Sequence, residues 1–252
     1  MLMPIAPIPK SSDAVYSPPS GADAVPDQHG VNLYTSDPAL RELLSVYLPA
    51  DLLAHLQPQL EKLGALAGGP LDDLALTADK NPPELQQRSR RGLDDQRILK
   101  HPAYVEMERL AFSEFALAAI SHRQDVLGWQ GQMPATVKYA LTYLFVQAEF
   151  GLCCPVSMTD SLTRTLKKYG APELVAQHLP ALTALNLDDL AQGAMFMTEQ
   201  GAGSDISATT TMARPDPDRQ GQWLLSGEKW FCSNPDAALA MAMGHVALNE
   251  FY

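Results

Sequence analysis

The amino-acid sequence predicts an α+β protein, in which an all-helical amino-terminal domain precedes the first strands of an antiparallel β domain. From about residue 30 to residue 190, apolar side chains recur at intervals of three and four, the period of an amphipathic helix. After residue 190, short runs enriched in Thr, Met, Trp and Phe alternate with turn residues, a pattern typical of antiparallel strands. We therefore predict a flexible Pro- and Ser-rich tail over residues 1–29, a helical domain over 30–190 and a partial β domain over 191–252.

Six segments of the helical region carry apolar stripes at helical spacing. In the first, Ser36 is the predicted N-cap and a proline occupies the first turn, where its missing N–H has no partner to lose. In the second, Pro58 is expected to kink or split the helix, and Gly170 is the expected terminating residue of the fifth. The six segments are SDPALRELLSVYLP, ADLLAHLQPQLEKLGALAGG, HPAYVEMERLAFSEFALAAISHRQDVLGW, MPATVKYALTYLFVQAEFG, MTDSLTRTLKKYG and APELVAQHLPALTAL.

Four short runs after residue 190 are predicted to be strands, with a loop at RPDPDRQGQ and a tight hairpin turn at Ser226 and Gly227. Only about 60 residues follow the boundary, too few for the sandwich or barrel that such strands usually form. Isolated strands leave backbone edges unpaired, so we expect a chain that is truncated or that depends on a partner. The four runs are GAMFMTE, ATTTMARP, QWLLSG and EKWFCS.

The composition, 46% hydrophobic and 19% charged, is that of an ordinary globular protein, and no apolar run reaches the length of a membrane-spanning helix. The chain has 29 acidic and 18 basic residues, and this net charge of -11 disfavours a general surface for nucleic acid or anionic lipid. One basic group stands against this balance, but Asp94 and Asp95 interrupt it, and we interpret it as a solvated surface. Its members are Arg88, Arg90, Arg91, Arg97 and Lys100.

The three cysteines are Cys153, Cys154 and Cys232, and no Cys-x-x-Cys spacing occurs among them. This pattern indicates neither a disulfide framework nor a zinc site, so we predict buried, reduced thiols and no metal. Prolines interrupt the first nine residues, which therefore lack the unbroken apolar segment of a secretory signal. A cytoplasmic protein is the expectation that follows.

The stretch AMFMTEQGAGSD, residues 194–205, is the strongest candidate for a binding site. Gly201 and Gly203 are followed by Ile206 and by strand-like sequence, which excludes the dinucleotide fingerprint because that motif opens a helix. The P-loop is excluded because no Gly-Lys-Ser/Thr is present, and Ser204 does not lie in a Gly-x-Ser-x-Gly nucleophile motif. What remains is a loop at the end of a strand.

Such a loop suits an anionic cofactor that carries a ring. Thr198 offers a donor and an acceptor to one part of the ligand, while Ser204 and the Gly203 amide reach a diphosphate. Trp230 and Phe231 supply flat apolar surface, although a place in the hydrophobic core explains the two aromatic residues equally well.

Two segments of the sequence form a pair with a characteristic spacing. MTEQGAGSD, followed about 25 residues later by LSGEKWFCSN, resembles the flavin-binding β domain of acyl-CoA dehydrogenases. There a Met-Thr-Glu-x-x-x-Gly-Ser-Asp loop precedes a Gly-x-Lys-Trp-x-x-Ser/Thr-Asn strand. Segments upstream of this pair narrow the resemblance to the alkylation-response (adaptive-response) branch. The resemblance covers residues 30 to about 240. The upstream segments are NLYTSDPALRE, NPPELQQRSRRGLDDQRILKHPAY and QAEFGLCCPVSMTDS.

The resemblance implies a helical amino-terminal domain and a central β domain, with the carboxy-terminal four-helix bundle of the family absent from this chain. Members usually form tetramers that hold FAD between domains and subunits. The same resemblance implies a structural role for Glu199 and a packing role for Cys232. The residues it assigns to the flavin, together with those that the loop itself indicates, are Met195, Met197, Thr198, Gly203, Ser204, Trp230, Phe231, Cys232 and Ser233.

The reaction of the family removes a proton alpha to an acyl-CoA carbonyl while hydride passes to flavin N5. The base in the family is a glutamate of the carboxy-terminal bundle, so the resemblance puts it beyond residue 252 and assigns no catalytic residue in this chain. The implied partners are acyl-CoA or a related substrate and, in the full-length family, copies of the chain in a homo-tetramer.

Three hypotheses follow from these observations. The first is an FAD-dependent acyl-CoA dehydrogenase-like oxidoreductase, in a truncated copy. The second is an alkylation-response-type flavoprotein that protects DNA with little turnover, for which the acidic charge gives no support. The third is a helical scaffold without a cofactor.

Overall fold

The computed structural model describes residues 27–246. Most of the predicted tail, up to residue 26, and residues 247–252 lie outside the described part of the chain. The helices are α1 (Pro38–Tyr47), α2 (Ala50–Ala67), α3 (Pro70–Asp79), α4 (Pro102–Glu108), α5 (Ala135–Phe145), α6 (Cys153–Tyr169) and α7 (Pro172–Leu182). The strands are β1 (Glu84–Arg88), β2 (Asp94–Leu99), β3 (Gly193–Phe196), β4 (Met212–Pro215), β5 (Trp223–Ser226), β6 (Leu239–Ala242) and β7 (His245–Val246). The α+β class is confirmed.

The hydrophobic core lies in the helical domain and is centred on α2. The apolar stripe of α2 is fully buried against α5 and α3, as its spacing predicts. Burying one such leucine contributes about 1.5–3 kcal/mol, so this stripe is a main source of the stability of the domain. Among the largest fully buried side chains of the core are Leu56, Leu60, Leu63, Phe112, Phe115 and Phe145.

Helix ends differ from the sequence prediction in two places. Asp37, and not Ser36, caps α1, because its carboxylate accepts a hydrogen bond of 2.9 Å from the Leu40 amide. Pro58 lies inside α2 without splitting it. Gly170 follows the last residue of α6 as predicted, and a Cβ there would lie 2.6 Å from the Leu166 carbonyl oxygen.

The helix that begins at Pro102 is shorter than its apolar stripe predicts. It changes into a π-helix over Arg109–Glu114 and ends at Phe115. Ala116 then adopts a left-handed conformation with φ of 51°, which an α-helix cannot accommodate. The apolar residues that follow are still buried, but they are buried in turns. The apolar spacing in this stretch therefore reflects burial and not a helix.

A β-hairpin interrupts the helical region, so the prediction of an all-helical domain is wrong in this respect. Strands β1 and β2 pair antiparallel, and Gly92 in the turn has φ of 76°. The hairpin is largely exposed and so lacks the apolar alternation that reveals a strand in sequence. Its cations meet carboxylates, with Arg97 Nε 2.7 Å from Asp95 Oδ1, in agreement with a solvated surface.

The β region is mixed rather than antiparallel. Strand β4 pairs antiparallel with β5, whereas β3 pairs parallel with β6 and β4 pairs parallel with β7. Local sequence patterns carry no information on strand direction when long connections separate the partners. The turn between β4 and β5 lies in the predicted loop after Pro215, so the predicted hairpin turn at Ser226 and Gly227 is wrong.

Helix α6 fixes the beginning of β3, the strand that leads into the candidate site. The Gly193 amide donates a hydrogen bond of 2.9 Å to Thr159 Oγ1 inside the core. A Cβ at Gly193 would lie 3.0 Å from Thr159 Cα, so glycine permits this close approach. Among the described helices, none has the length and apolar character to cross a membrane.

Candidate functional site

The segments MTEQGAGSD and LSGEKWFCSN, called the flavin motif below for their resemblance to the family, meet in the structure. The Trp230 amide donates a hydrogen bond of 2.8 Å to the Thr198 carbonyl oxygen. The predicted strand EKWFCS is not a strand, because Phe231 and Asn234 have φ of 55° and 57°. The segment is instead a loop that turns beside Thr198, and this loop carries the aromatic pair of the motif. We call residues 230–238 the aromatic loop.

The glycine-rich stretch after Thr198 forms a tight turn that is open to solvent. The backbone groups of Glu199 and Ala202 pair with each other at 2.9 and 3.1 Å. Gly201 and Gly203 face open space, since a Cβ at either position would meet no atom within 4 Å. Ser204 is exposed. The turn thus presents small residues, backbone amides and a hydroxyl to solvent, as an anionic ligand requires.

Both aromatic side chains of the motif lie on the surface. Trp230 is 47% exposed and Phe231 is 78% exposed. Their rings meet edge to face, with centroids 6.1 Å apart and an angle of 82° between planes. The alternative that both belong to the hydrophobic core is therefore wrong. Exposed aromatic side chains of this kind mark a surface that a ligand or another protein covers on binding.

The remaining predicted residues surround the same edge of the β region. Met195 lies in β3, half-buried and paired with Met241 of β6. Met197 and Cys232 are half-buried, and Ser233 is exposed. The structure thus brings all predicted residues onto two neighbouring segments.

Glu199 is the most heavily bonded carboxylate of the site. Oε1 accepts from Lys229 Nζ at 2.8 Å and from the amide and hydroxyl of Thr211 at 3.0 and 2.6 Å. Oε2 accepts from the amide and hydroxyl of Thr210, both at 2.6 Å. The Lys229 ammonium and then the two threonines hold the pKa of Glu199 far below its usual range. A carboxylate so engaged is a poor proton acceptor, which supports the structural role.

Sequence reasoning missed the partners of Glu199 and those of the aromatic loop. Thr210 and Thr211 follow the glycine-rich turn in a polar run that has no motif of its own. Asn234 donates hydrogen bonds of 3.2 Å to Gln192 Oε1 and to the Gly193 carbonyl oxygen. These contacts join residues about 40 positions apart, and only the three-dimensional fold brings them together.

A second buried cluster lies in the helical domain, away from the predicted motif. Asp160 of α6 contacts His122 Nε2 through Oδ1 at 2.7 Å and Lys138 Nζ through Oδ2 at 2.6 Å. All three side chains are at least nine-tenths buried. Burial opposes ionisation of Asp160, but the hydrogen bonds from His122 and Lys138 outweigh it and hold its pKa below the ordinary value. No sequence pattern indicated this cluster.

The cysteine thiols differ in burial. Cys153 is buried as predicted, but Cys154 is exposed and Cys232 half-buried, so the prediction of buried thiols holds for one residue only. Over residues 27–246, no group of three or more His, Cys, Asp and Glu side chains is arranged to hold a metal ion.

Comparison with known proteins identifies the family. The model of the family "Adaptive response protein AidB N-terminal domain" matches residues 23–189 of this chain. The chain belongs to the AidB branch of the acyl-CoA dehydrogenase family. A relative in that family is the putative acyl-CoA dehydrogenase AidB of Escherichia coli K12, which is 32% identical over 239 residues. The alignment covers 88% of this chain and 41% of the relative.

Two solved structures share the fold of this chain. The apo-form of Bd2924 superposes with a TM-score of 0.77 at 28% identity, covering 87% of this chain and 43% of its own. Caenorhabditis elegans ACDH-11, solved in complex with C11-CoA, gives a TM-score of 0.76 at 22% identity, with coverage of 92% and 39%. The chain therefore spans less than half the length of each of these relatives.

Proposed function

We propose that this chain carries the flavin-binding half of an FAD-dependent acyl-CoA dehydrogenase-type oxidoreductase. The observation that carries the proposal is the hydrogen bond from the Trp230 amide to the Thr198 carbonyl oxygen, which joins the two segments of the flavin motif. Membership of the AidB branch supports it. The bound flavin would accept hydride from the substrate.

The residues at the joined segments fit an anionic cofactor with a flat ring. Trp230 and Phe231 offer exposed aromatic faces, and Thr198 lies directly beside them. Gly203 and Ser204 offer an open backbone and a hydroxyl to the phosphates. Met195, Met197, Cys232 and Ser233 complete the proposed contacts.

Acyl-CoA or a related thioester is the proposed substrate class. The relative solved with C11-CoA supports this class, since 92% of the present chain superposes on that protein. The proposed catalytic base is not Glu199, because both of its oxygens already accept hydrogen bonds. By resemblance to the family, we propose a glutamate of the carboxy-terminal bundle as the base and a homo-tetramer as the assembly.

A flavin titration of the 252-residue chain tests the proposal. We expect Trp230→Leu to weaken FAD binding about tenfold or more, as the loss of an aromatic stacking face in a binding site usually does. The matched control is Trp223→Leu, since Trp223 of β5 is exposed to 48% and lies outside the motif. Equal effects of the two substitutions would contradict the proposed site.

Addition of acyl-CoA to the FAD-loaded protein tests the reaction. Bleaching of the flavin absorbance is the expected result for a chain that includes the base, as in a longer protein of this branch. DNA binding without bleaching would favour the protective role instead, and binding that weakens steeply with salt would identify a phosphate-dominated contact. The net charge of -11 speaks against that outcome.

A further inference from the structure

The aromatic loop is held by residues of the flavin motif and by Gln192 and Gly193, which lie outside the motif. At its beginning the Trp230 amide bonds to Thr198, and just after its end the Leu239 amide donates to the Gln192 carbonyl oxygen at 3.3 Å. Between these points, Asn234 donates to the side chain of Gln192 and to the carbonyl oxygen of Gly193. Gln192 therefore contacts the loop through its side chain, and its backbone holds Leu239, the residue that follows the loop.

Gln192 is in turn fixed by a carboxylate of the helical domain. Its side-chain amide donates a hydrogen bond of 3.0 Å to Glu108 Oε1, at the end of α4. The same oxygen accepts from Lys100 Nζ at 2.9 Å, and Lys100 also lies 3.6 Å from Asp236 of the aromatic loop. The side chain of Glu108 is 7% exposed and that of Lys100 is 19% exposed.

This arrangement links the helical domain to the loop by two routes. One route runs from Glu108 through Gln192 to Asn234, and the other runs from Glu108 through Lys100 to Asp236. Asn234 has a left-handed backbone with φ of 57°, a conformation that asparagine adopts more readily than most residues. Hydrogen bonds that lead to a buried carboxylate fix its side chain.

We infer that Glu108 is a positioning residue of the proposed cofactor site, acting through Gln192 and Lys100 to hold the aromatic loop beside Thr198. The inference rests on the proposed function, because that function makes the loop part of a cofactor site. The contacts of Glu108 with Gln192 and Lys100 do not depend on a cofactor. Glu108 itself does not touch the residues assigned to the flavin. It sets the loop on which Trp230, Phe231 and Ser233 are carried.

Hydrogen exchange of the whole chain, read by mass spectrometry, tests the positioning role. Glu108→Met keeps the approximate side-chain volume and removes both hydrogen bonds, so we expect amide exchange in residues 230–239 to rise about tenfold, the effect of losing a hydrogen bond to a charged group. Glu108→Gln retains an oxygen that accepts from Gln192. It should restore part of the protection.

The matched control is Glu106→Gln, a change of the same type on the same helix at a half-buried carboxylate that pairs with Arg109. It should leave exchange in the aromatic loop unchanged. Unchanged loop exchange in Glu108→Met would overturn the inference. An equal rise in the core helix α2 would also overturn it, because Glu108 would then support the entire domain and not the loop.

FAD titration of the same variants separates this inference from the proposed function. If both stand, Glu108→Met binds FAD about tenfold more weakly than the unmodified chain, and Glu108→Gln lies between the two. If loop exchange follows Glu108 while the unmodified chain takes up no FAD, the positioning role stands and the cofactor proposal fails. If FAD binds all variants alike and loop exchange is unchanged, the positioning role fails alone.

Discussion

Lys229 and Glu199 form an ion pair between the two segments of the flavin motif, with Nζ 2.8 Å from Oε1. Their side chains are 11% and 5% exposed. Lys229 also donates to the Met197 carbonyl oxygen at 3.2 Å, so its ammonium bridges the strand end and the glycine-rich turn. The pair therefore sets the separation of the segments that carry Thr198 and Trp230.

Loss of the Glu199 charge should loosen this region. In Glu199→Gln, an amide N–H₂ group replaces one carboxylate oxygen. That group is a donor and faces other donors, those of Thr210, Thr211 or Lys229, so at least one of them loses its acceptor. We expect a lower Tm in circular dichroism and faster exchange of the Thr211 amide. Glu228→Gln, at the exposed neighbour of Lys229, is the control and should leave both unchanged. A Tm equal to that of the control would contradict the role assigned to Glu199.

The same carboxylate gives stability a defined dependence on pH. Because the pKa of Glu199 is lowered in the folded chain, its contribution is complete above the unfolded value of about 4.3 and declines as pH falls below that value. The difference in Tm between the unmodified chain and Glu199→Gln should be constant from about pH 7 to 5 and shrink below about pH 4. A difference that grows on acidification would have the wrong sign.

Gly227 is required by close packing beneath this ion pair. A Cβ at Gly227 would lie 2.7 Å from Thr211 Cα, which belongs to the backbone and cannot move aside. We expect Gly227→Ala to lower the free energy of unfolding by roughly 1–3 kcal/mol in urea titrations, the usual range for overpacking. Gly201→Ala is the control, because a Cβ there meets no atom within 4 Å. Similar losses in both variants would show that packing against Thr211 is not the cause.

The buried cluster of the helical domain should depend on charge balance. Asp160→Asn leaves the Lys138 ammonium, 7% exposed, without its carboxylate, and breaking such a buried pair costs about 3–5 kcal/mol. Adding Lys138→Met removes the uncompensated charge and should recover part of the loss. Urea titrations of the two single variants and the double variant measure the coupling. Additive losses would contradict a direct interaction between Asp160 and Lys138.

The fold was predictable from sequence where burial follows a single period. Helices α2 and α5 have apolar stripes with one buried face, and the change in residue type near residue 190 coincides with the passage from α7 to β3. The hairpin of β1 and β2 escaped prediction because solvent covers both its faces. The end of the helix at Phe115 escaped because the residues after it remain buried in turns, so the apolar pattern continues without the helix.

Sequence alone indicated only those residues of the candidate site that lie within the two motif segments. The two motif segments name Thr198 and Trp230, and in the structure a backbone hydrogen bond joins these two residues. The hydrogen bonds of Glu199 with Thr210 and of Gln192 with Asn234 could not be predicted, since polar side chains carry no periodic signal and their partners are distant in sequence. Side-chain networks of this kind are determined by the fold as a whole.

Adjacent cysteines at the beginning of α6 should differ sharply in reactivity. Burial, with Glu149 nearby, raises the pKa of the Cys153 thiol to about 12, so only about one molecule in 10⁴ carries its thiolate at pH 8. Cys154 is exposed in a cavity of about 250 Å³ that it shares with Tyr104 and Ser233. We expect iodoacetamide at pH 8 to label Cys154 well before Cys153, as read by peptide mass spectrometry. Cys154→Ser should leave Cys153 just as slow, and urea should abolish the difference because unfolding removes the burial. Equal labelling of both residues in the folded chain would mean that α6 does not shield Cys153.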